Sequence, residues 1–173
     1  MVPVGALELV VSVPEGEGHT GGTFRAEIPQ IGFDSGALAR DGSLEAAWVA
    51  DVNDDGEPDA VLVVRGGGSG SYASLVVLES SNGSFVVRPL PPAPTTSGYL
   101  GHDEVFVRGG RVIRSFPTYV DRSGMRIDRQ WNAERALDGE WPVKSDPDHN
   151  ASPSGKTLEL GFDRATGRWR EVE

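Results

Sequence analysis

The chain of 173 residues contains no cysteine, which excludes disulfide bonds and thiolate metal sites and leaves the redox compartment open. Basic residues are also scarce: 16 Lys and Arg stand against 26 Asp and Glu, for a net charge of -10. Phosphate binding needs a basic face, so we expect no nucleic-acid partner.

No apolar run approaches the roughly 18 residues that cross a bilayer, so we expect no membrane insertion. Residues 1–13 lack a basic start and a small-residue cleavage site, which predicts that any signal peptide has already been removed.

Turn-forming residues are abundant, with 23 glycines and 12 prolines, and this disfavours long helices. Apolar and polar residues alternate over 7–13 and 23–28, as in half-buried strands. Tight hairpins are predicted at Asn82-Gly83 and at Gly109-Gly110, and a further hairpin joins 158–162 to 168–172. We therefore predict a single all-β domain over residues 1–173, an antiparallel β-sandwich or barrel-like domain of about eight or more short strands.

The connection between two apolar strands, 59–65 and 73–79, has an unusual composition. It contains four glycines within positions 66–70, which keep the loop narrow. The tip of the loop consists of Ser69, Gly70, Ser71 and Tyr72, which are all uncharged. The loop can therefore enter a cleft without burying a charge. The alternative is a flexible hairpin connection whose serines are simply solvated.

An acidic turn precedes the first of these strands. Asp51, Asn53, Asp55 and Asp59 have the spacing of calcium ligands in a loop, with a glycine at position 56. The twelfth position is leucine where an EF-hand requires glutamate, so the EF-hand interpretation fails. A calcium site made of these four residues and a turn held by side-chain bonds to backbone amides are both left open.

Four segments stand out: the D-x-N-x-D-G-x-P-D turn with SGSYASL at 69–75, GYLGHD at 98–103, RSFPTY at 114–119 and DHNASPSGKT at 148–157. In this order they resemble the family of periplasmic inhibitors of I-type (invertebrate) lysozyme. The resemblance covers roughly residues 45–172, whereas the first forty or so residues match only loosely, and residues 121–147 are an insert that departs from the family pattern. This insert is predicted as a short helix around 129–137, a longer hairpin or a covering loop.

The resemblance implies a lysozyme inhibitor, and hence a binding protein and not an enzyme, that inserts the loop Ser69–Tyr72 into the substrate cleft. It places Ser69 and Tyr72 among the cleft-contacting residues, and it implies lysozyme as partner, no required cofactor and a periplasmic or secreted location. Arg65, Tyr99 and His102 are candidates for a second contact, and a homodimer is left open. The alternative function is a calcium-dependent carbohydrate-binding or adhesion module. No G-x-S-x-G or HExxH pattern supports a hydrolase.

Overall fold

A computed structural model describes residues 7–18, 20–67, 71–81, 84–94, 97–120, 124 and 152–172. Within them the chain forms eleven β-strands in three antiparallel sheets, which confirms the all-β prediction. Among the described residues no helix has the length and apolar character needed to cross a membrane. The predicted helix around 129–137, and almost all of the insert at 121–147, lie outside the described residues.

The three sheets follow one another along the chain. The N-terminal sheet has the order β1-β2-β3, with β1 at Val10–Ser12, β2 at Gly22–Ile28 and β3 at Phe33–Arg40. The middle sheet has the order β4-β5-β6-β7, with β4 at Ser43–Ala50, β5 at Asp59–Arg65, β6 at Ala73–Ser81 and β7 at Ser84–Pro89. The C-terminal sheet has the order β11-β10-β9-β8, with β8 at Glu104–Arg108, β9 at Arg111–Val120, β10 at Ser152–Asp163 and β11 at Arg168–Glu171.

The strand pairs of all three predicted hairpins are present, whereas the Asn82-Gly83 turn itself lies outside the described residues. The strands that flank each turn pair antiparallel, with Ser81 opposite Ser84, Arg108 opposite Arg111, and Leu160 opposite Glu171. The predicted N-terminal strands also pair antiparallel, although β1 is only three residues long. Two-residue Asn-Gly and Gly-Gly turns fix the register of the strands beside them, so local sequence is enough to predict these pairs.

Strand β5 is the centre of the fold because both of its faces are covered. Every residue from Asp59 to Val64 is buried. Successive side chains of a strand point to opposite faces, so β5 contributes to two hydrophobic clusters. One cluster includes Phe24 of the N-terminal sheet, and the other includes Phe116 of the C-terminal sheet. The middle sheet therefore lies between the other two. The loop that follows Arg65 thus begins at the end of a strand that is packed on both faces.

Candidate functional site

The glycine-rich loop between β5 and β6, residues 66–72, is hereafter called the finger. The structure describes its two ends, residues 66–67 and 71–72, whereas Ser69 and Gly70 lie outside the described residues. The Gly66 amide donates a hydrogen bond of 2.9 Å to the Tyr72 carbonyl, which closes the base of the finger. Ser71 has φ of 45°, a left-handed conformation that is uncommon for a residue other than glycine. The finger thus starts from a narrow, hydrogen-bonded base.

Tyr72 joins the finger to the protein interior. Its ring meets the ring of Tyr99 edge to face, with the centroids 5.5 Å apart, and Tyr99 in turn lies 4.7 Å from the ring of Phe116. This arrangement places the positive edge of one ring against the negative face of the next. Tyr72 is half-buried and packs against the cluster between the middle and C-terminal sheets. The side chain therefore starts from a defined position in the free protein.

Arg65 connects the finger to a second loop, residues 97–103. Its Nη1 donates to the Ser71 carbonyl and to Asp103 Oδ1, both at 2.9 Å, and its Nη2 donates to the Asp103 carbonyl at 2.7 Å. On its exposed side the guanidinium pairs with Glu45, with Nε 2.9 Å from Oε2. Burial alone would lower the pKa of Arg65, but the hydrogen bonds and charges of Glu45 and Asp103 outweigh it and raise the pKa. Arg65 stays charged and uses its planar fork to hold both loops.

Asp103 is the buried centre of these contacts, with 2% of the residue exposed. Its Oδ1 accepts a hydrogen bond of 2.8 Å from the Tyr99 hydroxyl. Its Oδ2 lies 3.0 Å from Arg114 Nε in an ion pair that is not aligned as a hydrogen bond. Burial raises the pKa of Tyr99 well above its usual range, so the phenol keeps its proton and acts as the donor. Burial lowers the pKa of Arg114, and the negative charge of Asp103 opposes this effect.

The second loop keeps its shape through left-handed residues and backbone pairing. Gly98 and Gly101 have φ of 73° and 90°, and His102 has φ of 58°. The Tyr119 amide of β9 donates to the Gly98 carbonyl at 3.0 Å. Of the predicted secondary contacts, Arg65 and Tyr99 adjoin the finger directly. Tyr99 is buried and faces inward, whereas His102 is exposed. Contact of these residues with a partner stays a prediction.

A family model described as periplasmic lysozyme inhibitor of I-type lysozyme matches residues 3–89, and these include the finger and both strands beside it. The chain belongs to this family. The match begins within the N-terminal segment, where the motif resemblance was loose, and ends before the motifs at 98–103 and 114–119. Searches of curated proteins and of solved structures give no match. Membership in the lysozyme-inhibitor family supports an inhibitory role and a periplasmic setting.

The acidic turn at the opposite end of β5 is held by its own carboxylates. Asp51 Oδ1 accepts N–H bonds from residues 53, 54 and 55, and its Oδ2 accepts one from Gly56 at 2.9 Å. Asn53 Oδ1 and Asp55 Oδ1 each accept a further amide, at 2.9 and 2.8 Å. Among the described residues, no group of three or more acidic or histidine side chains is arranged to hold a metal ion. These bonds support the prediction of a turn held by side-chain bonds to backbone amides, and the alternative of a calcium site stays a prediction.

Asp59, the fourth candidate ligand, is fully buried and joins the turn to the middle sheet. Its Oδ2 accepts the Val52 amide at 3.0 Å, and its Oδ1 accepts the Ser80 amide at 2.8 Å. Burial raises the pKa of Asp59 to about 6, in spite of the two amide bonds that lower it. In this inhibitor-family chain, the carboxylate thus fixes the start of the strand that leads to the finger.

The sequence did not link Glu45, Asp103 and Arg114 to Arg65, although Asp103 lies in the GYLGHD motif and Arg114 in the RSFPTY motif. Arg114 carried a usable signal, because it interrupts the apolar strand segment around Ile113 and Phe116, and a buried charge requires a partner. The link between Arg65 and Asp103 has no local signal, since the two residues are 38 positions apart in the chain.

Proposed function

We propose that this chain inhibits an I-type lysozyme by placing the finger in the enzyme's substrate cleft. The observation that carries the proposal is the closed base of the finger, where the Gly66 amide bonds the Tyr72 carbonyl at the end of the fully buried strand β5. A loop that already has its bound shape loses less conformational entropy on association. Family membership supplies the class of target.

The chemistry of the finger suits a glycosidase cleft. Such a cleft presents one protonated and one ionised carboxyl group around the scissile bond. A hydroxyl can donate to the ionised group and accept from the protonated one, so Ser69, Ser71 and Tyr72 offer partners to either without burying a charge. In this proposal the chain binds lysozyme and catalyses nothing, and it acts in the periplasm or after secretion.

Variants at Tyr72 test the proposal. Tyr72→Ala removes both the ring and the hydroxyl, and we expect it to weaken binding by ~2 kcal/mol or more, about 30-fold, because a central aromatic is a typical hot spot. Tyr72→Phe keeps the packing on Tyr99 and removes only the hydroxyl, so we expect a smaller loss of about tenfold. The matched control is Tyr119→Phe, the same chemical change outside the finger, which should leave inhibition unchanged.

The measurement is bacterial-cell lysis by an I-type lysozyme, titrated with each protein, with chicken-type and goose-type lysozymes in parallel. The proposal predicts selective inhibition of the I-type enzyme that falls in the order wild type, Tyr72→Phe, Tyr72→Ala. Absence of inhibition by the wild-type protein would contradict the function. Full inhibition by Tyr72→Ala would remove the finger from the mechanism.

A further inference from the structure

We infer that Asp103 is a positioning residue for inhibition, because the neighbours of this one buried carboxylate hold Ser71 and Tyr72 at the end of the finger and Ala73 directly after it. The inference rests on the proposed function and extends it to a residue that lies outside the finger and inside the protein. It concerns how the finger is kept in its binding shape, and it assigns no contact between Asp103 and lysozyme.

Three neighbours of Asp103 each contact a different residue at the end of the finger or directly after it. Arg65, 2.9 Å from Asp103 Oδ1, donates to the Ser71 carbonyl. Tyr99, which donates its hydroxyl to the same oxygen, packs its ring against Tyr72. Arg114, 3.0 Å from Asp103 Oδ2, donates through Nη2 to the Ala73 carbonyl at 2.9 Å. The links thus reach residues 71, 72 and 73.

The contact with Ser71 acts where the finger most needs support. A serine at φ of 45° is in a sparsely populated region, and such a conformation persists only when surrounding contacts hold it. The Arg65 guanidinium binds the carbonyl of this residue and the Asp103 carboxylate with the same nitrogen. Removing the carboxylate would leave the guanidinium bonded to the Asp103 carbonyl and to exposed Glu45, and the nitrogen that donates to the Ser71 carbonyl would lose the acceptor that fixes its position.

Asp103 suits a positioning role better than a general stabilising role. Its side chain is 0% exposed and the Arg114 side chain 1% exposed, so both charges have left water. The desolvation of such ions offsets much of their attraction, and a buried ion pair is therefore weak evidence of stability, whereas its geometry is strictly defined. That fixed geometry suits a residue that holds the base of the finger in one position.

The test uses full-length Asp103→Asn and Arg65→Lys, with Glu45→Gln as the matched control. Asp103→Asn removes the charge, and Arg65→Lys keeps a charge beside Asp103 but loses the fork that reaches Ser71. Glu45→Gln alters only the exposed partner of Arg65. Asp103→Asn leaves two guanidiniums without their carboxylate and can impair folding. Arg65→Lys is therefore included as a second variant, so that the inference can be tested even if Asp103→Asn does not fold.

Two readouts are taken on the folded proteins: the inhibition constant against I-type lysozyme, and hydrogen exchange of the Gly66 amide. This amide bonds the Tyr72 carbonyl and reports opening of the finger base, whereas the Leu62 amide in the centre of β5 reports global unfolding. We expect Arg65→Lys and Asp103→Asn to weaken inhibition about tenfold or more and to speed Gly66 exchange by a similar factor, a loss of the size of one hydrogen bond. Leu62 exchange should stay unchanged in Arg65→Lys, and Glu45→Gln should resemble the wild type in both readouts.

Unchanged Gly66 exchange in both variants would overturn the inference, because Asp103 would then not hold the finger. Faster exchange with undiminished inhibition would also overturn it, because the holding would not matter for binding. If the wild-type protein does not inhibit lysozyme, the proposed function fails separately, and Gly66 exchange still decides whether Asp103 holds the finger.

Discussion

Replacement of Asp59 by asparagine should remove the part of the pH dependence of stability that arises from this carboxyl group. The Asp59 carboxylate is fully buried where the acidic turn meets β5. Burial raises its pKa to about 6, the amide bonds from Ser80 and Val52 lower it, and the charges of Asp55 and Glu79 raise it further. Because the folded-state pKa lies above the unfolded value of 3.8, the folded chain binds the proton more tightly than the unfolded chain.

The sign and size of the effect follow from this difference in pKa. The contribution of Asp59 to stability is fully present below pH 3.8 and is lost as the pH rises through 6. The difference between a folded-state pKa of about 6 and an unfolded value of 3.8 corresponds to about 3 kcal/mol. Asparagine has no such titration, so the free energy of unfolding of Asp59→Asn minus that of the wild type should rise by about 3 kcal/mol between pH 3.5 and 7. At acid pH the variant should be less stable by about 1 kcal/mol, because asparagine has only one oxygen for the two amides.

The assay is urea unfolding followed by tryptophan fluorescence at half-unit intervals of pH. Asp163→Asn is the control of opposite sign, since hydrogen bonds from Thr166 lower the pKa of Asp163. The stability that Asp163 contributes is present above its unfolded pKa and is lost as the pH falls. A difference between Asp59→Asn and wild type that is constant with pH, or that falls as pH rises, would refute the reasoning, because the two amide bonds would then cancel or outweigh the effect of burial on the pKa.

Three further predictions concern the core and the acidic turn. Phe116→Ala should lower the free energy of unfolding by about 3–5 kcal/mol because Phe116 is 1% exposed, whereas Val86→Ala, at a site 44% exposed, should change it by less than about 0.5 kcal/mol in the same urea assay; equal effects would contradict the assigned core. Trp169→Phe removes the 2.7 Å bond from Nε1 to the Pro91 carbonyl and should cost about 1 kcal/mol or more, and an unchanged urea midpoint would argue against that bond. Millimolar calcium should leave the melting temperature unchanged because both oxygens of Asp51 already accept amides, and a saturable rise would instead establish a calcium site.

The sequence predicts the hairpins well because their signals are local. Asn-Gly and Gly-Gly between apolar runs specify a tight antiparallel turn whatever the rest of the chain does. It predicts a sandwich or barrel but not the arrangement of three sheets. The apolar run over β5 is the one indication, since a strand with no polar face is typical of burial on both sides.

The site is predicted only where its residues are contiguous. The finger is recognised from glycines and hydroxyls at 66–72, but the contacts that hold it join distant positions. Arg114 and the Ala73 carbonyl are 41 residues apart, and Arg65 and Asp103 are 38 apart. No local pattern pairs a buried arginine with one acidic residue among 26. Tyr99 illustrates the difficulty, because no local pattern predicts that its ring packs on that of Tyr72.

Occupation of the substrate cleft by the finger can be tested by steady-state inhibition of an I-type lysozyme with a soluble glycan substrate. The initial rate is measured over a matrix of inhibitor and substrate concentrations. Occupation of the cleft predicts competitive inhibition, in which saturating substrate restores the full rate. Inhibition that persists at saturating substrate would place the contact outside the cleft and contradict the account.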